Sequence, residues 1–119
     1  MRIIPFPAEP LENPEWTEVA PEKTISGAPQ AAYKILHTGK SGDFSAGIYE
    51  CTAGKWKVSY TEDEFCTLIE GRLRMTSDAG EVQEFQAPDS FVIPSGYAGV
   101  WEPLTKLRKF FAIHEKTAV

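Results

Sequence analysis

Histidine, cysteine, basic charge and long apolar runs are all scarce in this chain. Among 119 residues there are only two histidines, His37 and His114, and two cysteines, Cys51 and Cys66. The histidines fall near the ends of the first and last strands read below, where a lone imidazole is ordinarily solvated. They do not support a conventional histidine-based metal site, which needs several ligands converging on one point. The cysteines are isolated and form no C-x-x-C, which excludes a zinc knuckle and a thioredoxin-like pair. In a reducing compartment both are expected as free thiols. No stretch of about eighteen consecutive apolar residues exists, so no membrane-spanning helix is expected. The first sixteen residues are broken by prolines and acids and lack the apolar segment of a secretory signal, so a cytoplasmic location is expected. A formal charge of −5 speaks against a broad nucleic-acid footprint. It leaves a small anionic ligand open, since one buried Arg or Lys can reverse the local sign.

What the chain does contain is aromatic residues, prolines and short alternating runs. Seven Phe, four Tyr and three Trp supply bulk for a core and a pocket. Six of the nine prolines lie in the first 29 residues, and each fixes φ and removes a backbone donor. Residues 1–30 are therefore read as an extended arm, crossing the domain surface or reaching a neighbouring subunit. Ile3, Ile4, Phe6, Leu11 and Trp16 give this arm something to bury. Residues 31–119 form one domain.

Within that domain, strands are expected at 31–38, 44–50, 55–60, 64–70, 72–76, 82–86, 90–93, 98–101 and 107–113. Between Lys55 and Tyr60 the period of two is plain, with Trp56, Val58 and Tyr60 on one face and Lys55, Lys57 and Ser59 on the other. Ser77-Asp78-Ala79-Gly80 is a good hairpin loop. Many short strands without any ten-residue helical pattern indicate an all-β sandwich or barrel.

Several blocks carry a resemblance together that none carries alone. They are Gly54-x-Trp56, the run from Glu64 to Gly71, the Pro94-Ser95-Gly96 turn, Trp101-Glu102, and Leu107-Arg108-Lys109. In order and spacing they resemble the small single-domain cupins of the DUF861 or cupin 3 family, relatives of the ureidoglycine aminohydrolase and ethanolamine-utilisation cupins. The resemblance covers about residues 44–113. It implies a double-stranded β-helix, the cupin jelly-roll barrel of two antiparallel sheets, commonly dimeric, so a homodimer is expected. Pro88-Asp89 stands where the second motif often has Gly-Asp, a change expected to alter a turn and not the fold. In metal-binding cupins two histidines precede the motif Glu and a third follows Pro-x-Gly; the matching positions here are Val58, Tyr60 and Gly99.

By this resemblance Glu64 points into the barrel, where a carboxylate in apolar surroundings could act as acid or base; equally, it could be neutralised by a nearby cation. Strand alternation places Cys66 on the Glu64 face, where a buried thiol is most often a small hydrophobe. Arg108 and Lys109 must point to opposite faces, and one of them is expected near the cavity, holding a substrate carboxylate or neutralising Glu64. Trp56, Tyr60 and Trp101 complete the expected pocket, or simply fill the barrel. No cofactor is expected; an atypical divalent metal on Tyr60, Glu64 and Cys66 is the one alternative. The candidate functions are a small enzyme using Glu64 as general acid or base on a small polar metabolite, a non-catalytic ligand-binding or sensor cupin, and a structural dimer with a filled barrel.

Overall fold

The computed structural model describes residues 1–116, so the last three residues of the domain expected over 31–119 lie outside the described residues. Among the described residues there are eleven strands and no helix. Accordingly, no helix is long and apolar enough to cross a membrane. Two short strands occur within the Pro-rich segment, β1 (Thr17–Glu18) and β2 (Thr24–Ser26). Then follow β3 (Gln30–Thr38), β4 (Phe44–Cys51), β5 (Lys55–Ser59), β6 (Asp63–Glu70), β7 (Arg72–Ser77), β8 (Val82–Gln86), β9 (Ser90–Ile93), β10 (Ala98–Pro103) and β11 (Leu107–His114). All nine strands expected from the sequence are present, with ends shifted by at most two residues.

The strands build two antiparallel sheets, β1-β3-β4-β11-β6-β9 and β2-β5-β10-β7-β8, in the all-β jelly-roll arrangement. Alternation decides what lies between them. Leu68 and Cys66 from β6, Leu107 from β11 and Cys51 from β4 meet Trp56, Leu73, Met75 and Trp101 from the opposite sheet, and all are buried. Gly71 joins β6 to β7 at φ 100°, where a side chain would be strained and its Cβ would meet the Lys106 carbonyl oxygen at 2.4 Å. The turn around Pro88 is closed by Asp89, whose Oδ2 accepts from the Gln86 amide at 2.9 Å, and the Ala87–Pro88 peptide is cis.

One bulge matters for the site. The β11–β6 register shifts between Arg108 and Lys109, so Lys109 faces Leu68 while Arg108 faces Glu70. A strict period of two from Glu64 would send Glu70 inward; the extra residue turns it out, beside Arg108.

The outer face of the six-stranded sheet is partly covered by the N-terminal segment. Phe6 packs edge-on against Phe110 with ring centroids 5.3 Å apart. The Leu11 amide donates to Glu50 Oε2 at 2.6 Å, and Glu50 is fully buried beneath it. Of the five apolar residues expected to anchor this segment, Phe6 and Leu11 are drawn in, whereas Ile3, Ile4 and Trp16 stay exposed.

Candidate functional site

The site is built where β11 runs between β4 and β6. Lys109 lies opposite Tyr49 on one side and Leu68 on the other, and its side chain points between the sheets. Its ammonium Nζ donates to Glu64 Oε2 at 2.5 Å and lies 3.5 Å from Cys66 Sγ. The Cys66 thiol donates to the same Glu64 oxygen at 3.0 Å. Above the ammonium lie the faces of Trp101, 4.5 Å to the ring centroid, and Tyr49, 5.0 Å. Lys109 and Glu64 are 4% and 7% exposed, so this is an ion pair withdrawn from water.

Burial disfavours the charged form of Lys109, but the acidic groups beside it, Cys66 and Glu64, outweigh that effect and hold its proton above the ordinary lysine range. Burial likewise pushes the Cys66 thiol up to about 12, against the opposing pull of Lys109. It raises the Tyr60 phenol too, again with Lys109 opposing. At neutral pH Lys109 is therefore an ammonium and Cys66 a thiol, and both donate to Glu64 Oε2.

Glu64 and Lys109 form part of the lining of a cavity of about 230 Å³ whose walls include Tyr49, Trp56, Tyr60 and Trp101. Val58, Phe111 and Ile113 add apolar surface, and Tyr33 and Glu62 complete the lining. A broader, open depression of about 630 Å³ adjoins it and shares Trp56, Val58, Tyr60 and Glu62, but contains neither Glu64 nor Lys109. The Lys109–Glu64 pair thus lines only the smaller of the two.

Of the residues singled out in the sequence, Trp56, Tyr60, Glu64, Trp101 and Lys109 share this cavity. Cys66 does not line it; fully buried, it lies against Glu64. The choice between Arg108 and Lys109 falls to Lys109, while Arg108 points outward and pairs through Nη1 with Glu70 Oε1 at 3.2 Å. His37 and His114 are exposed and stand outside the cavity. Sequence reasoning missed Tyr49, Tyr33, Phe111, Ile113 and Glu62 as cavity residues. Alternation along β4 would have put Tyr49 on the same face as Cys51, but its contact with Lys109 depends on the pairing register of β11.

Trp101 holds one further polar group. Its Nε1–H is buried without a hydrogen-bond partner of good geometry. It nevertheless lies near enough to Cys51 to pull that thiol's pKa down against burial, which leaves it at about 11.

The metal that many barrels of this kind hold has no fitting donor set here. Among the described residues no three His, Cys, Asp or Glu side chains group around a point that could hold a metal ion. Glu64 and Cys66 are adjacent, but the Lys109 ammonium sits on both. Nor is Gly99 a simple stand-in for a histidine. A Cβ at Gly99 would fall 2.1 Å from the Thr76 carbonyl oxygen and 2.9 Å from the Ser77 Cα, so any side chain there requires β7 to move.

Residues 38–111 match the family model described as the EutQ-like cupin domain. Among solved structures, a DUF861-family protein of unknown function from Pseudomonas syringae pv. tomato is similar at 22% identity and a TM-score of 0.80, over 91% of this chain. The chain spans less than half of that protein, 46% of its length. The EutQ protein of Clostridium difficile is similar at 20% identity and TM-score 0.65, with 72% of this chain and 63% of that one covered. A putative ethanolamine utilization protein Q from Salmonella typhimurium is similar at 18% identity and TM-score 0.65, covering 91% of this chain and all of that one. At these identities the likeness carries the fold alone. Among curated proteins, none matches the chain.

Proposed function

The chain belongs to the EutQ-like cupin domain family, and from that premise we propose that its barrel binds a small polar metabolite in the cavity floored by Glu64 and Lys109. One observation carries this reading: a buried Lys–Glu pair at 2.5 Å sits at an aromatic-walled cavity and not within the packed core. As a device for stability such a pair is poor, because desolvating two charges costs about as much as their attraction returns. As a recognition device it is effective, since it presents polar groups of fixed orientation among largely apolar walls.

A second reading is favoured by the way Glu64 is used. Both of its hydrogen bonds fall on Oε2, so Oε1 takes part in neither. That free oxygen makes Glu64 the group to accept or return a proton if the bound metabolite is turned over. Lys109 holds its proton too tightly to serve as a base or as an imine-forming amine.

The test uses the two cavity tryptophans. Small polar compounds are titrated while the indole signals of Trp56 and Trp101 are followed by NMR. A compound that moves both in the native protein should lose its effect in Val58→Phe, which fills the cavity. Binding that survives Val58→Phe unchanged would place the ligand elsewhere and overturn the reading. For the catalytic alternative, Glu64→Gln should retain binding and abolish turnover.

Self-association is part of the same proposal. Phe65 of β6 and Val92 of the edge strand β9 are cross-strand neighbours on the outer face of the six-stranded sheet, 50% and 59% exposed. An exposed apolar edge of this kind is self-complementary about a two-fold axis. A sedimentation mass of a single 13.2 kDa chain at micromolar concentration would sink it.

A further inference from the structure

We infer that the cavity selects small organic cations, of the alkylammonium or quaternary ammonium class, over anions and neutral molecules of the same shape. This rests on the binding reading above and specifies its ligand.

The charge inventory is the first argument. Two carboxylates, Glu62 and Glu64, line the cavity against one ammonium, Lys109. That ammonium is already committed to Glu64 Oε2 and Cys66 Sγ and is covered by two ring faces. An incoming anion would have to draw Lys109 away from Glu64 while approaching both carboxylates. A neutral apolar guest would cover Glu64 Oε1, which takes neither of the two hydrogen bonds made to Oε2, and offer it nothing, a penalty a buried acceptor does not escape. An ammonium meets neither obstacle.

The walls supply the second argument. Ring faces attract cations through their quadrupole, and most strongly when water is excluded. This barrel already uses that attraction once, holding the Lys109 ammonium over Trp101 and Tyr49. Trp56, Tyr60, Phe111 and Tyr33 line the same cavity. Burial keeps the Tyr60 phenol protonated, so it enters as a neutral ring. Glu62, half-buried and fixed by the Thr61 hydroxyl at 3.1 Å, adds a carboxylate to this lining without belonging to the Lys109 cluster.

The experiment titrates three probes at one ionic strength: choline, its uncharged carbon isostere dimethylbutanol, and acetate. Binding is read from the Trp56 and Trp101 indole signals. Choline should bind on the order of tenfold more tightly than dimethylbutanol, the scale of a desolvated cation–π contact, and acetate should not bind. Glu62→Gln, a substitution outside the buried cluster, should weaken choline several-fold and leave dimethylbutanol unchanged. If dimethylbutanol or acetate binds as well as choline, or if Glu62→Gln weakens choline and its isostere equally, the cation inference is overturned while the cavity stands. If no probe moves either tryptophan, both the inference and the binding reading fall.

Discussion

Arg108 and Lys109 are consecutive on β11, both are cationic, and each is paired with a glutamate of β6, yet they inhabit different chemistries. Lys109 faces inward, with its side chain 5% exposed, against Glu64. Arg108 faces outward against Glu70, whose side chain is 45% exposed. The Arg108 side chain is itself only 12% exposed, so the contrast rests on Glu70: where one partner stands in water, water and salt screen the attraction, and such a pair is worth little. Between buried partners each charge depends on the other, because neither has water to fall back on. The position of each residue on the strand, more than its type, sets what its charge can do. Only the inner pair can hold a cavity group in a fixed orientation.

The largest effect should follow from removing one member of the inner pair. Lys109→Ala or Glu64→Ala should lower unfolding stability by about 3–5 kcal/mol, the cost of an uncompensated buried charge. Replacing both together, Glu64→Gln with Lys109→Met, should recover most of that loss. Chemical denaturation of the four proteins checks it; a double-variant loss as large as the two single losses added together would show that the two side chains are not coupled.

The inner pair also sets the alkaline limit. Lys109 has its folded pKa raised, so its contribution is complete below the unfolded lysine value of about 10.4 and is lost as pH rises through the folded value. Cys66, raised to about 12, works in the same direction. Its thiol favours the folded state increasingly less from about pH 9 upward. Native stability should therefore fall steeply above about pH 10, and Lys109→Met should show a shallower fall over the same range. Parallel alkaline limbs in the two proteins would contradict the assignment.

A smaller effect belongs to the outer face, where Glu50 is the direct neighbour of Arg108 across β4 and β11. Glu50 is as buried as the inner pair, but it accepts from a backbone amide, Leu11, and so closes the N-terminal segment over the sheet. Glu50→Ala should cost about 1–3 kcal/mol, the penalty for leaving a covered donor unmade. It should also speed amide exchange at Leu11 while leaving the Trp56 and Trp101 signals in place. If those cavity signals moved as well, the two faces would not be independent.

Much of this architecture was legible in the chain, for reasons that also explain the gaps. Alternation in Lys55–Ser59 and the run from Glu64 to Leu68 gave strands and faces directly, because one wall of each is buried. The motif spacing around Glu64, Gly71 and Pro94-Ser95-Gly96 gave the barrel. Alternation required Arg108 and Lys109 to oppose each other but could not say which pointed in; that follows from the register of β11, which sets Lys109 opposite the inward-facing Tyr49 and Leu68. Contacts set by register, such as Tyr49 against Lys109, leave no trace in local sequence. The closeness of Gly99 to the Thr76 carbonyl is equally silent, although it explains why this position carries no side chain. The two short strands inside residues 1–30 were hidden because prolines dominate that stretch and two or three residues show no period.

The smallest expected effect is the sharpest test of the contrast. Glu70→Ala removes the solvent-exposed partner of Arg108, so stability should change by less than about 1 kcal/mol and the change should shrink as salt is added. Arg108 is not fully exposed: its Nε is buried without a hydrogen-bond partner among the described residues. If that buried edge makes Arg108 depend on Glu70, the loss will approach that of Lys109→Ala and will resist salt. In that case the two pairs differ in what they face, and not in how strongly they are held. A small, salt-sensitive loss keeps the stronger distinction, in which only the inward cation of β11 is bound to its glutamate by the absence of water.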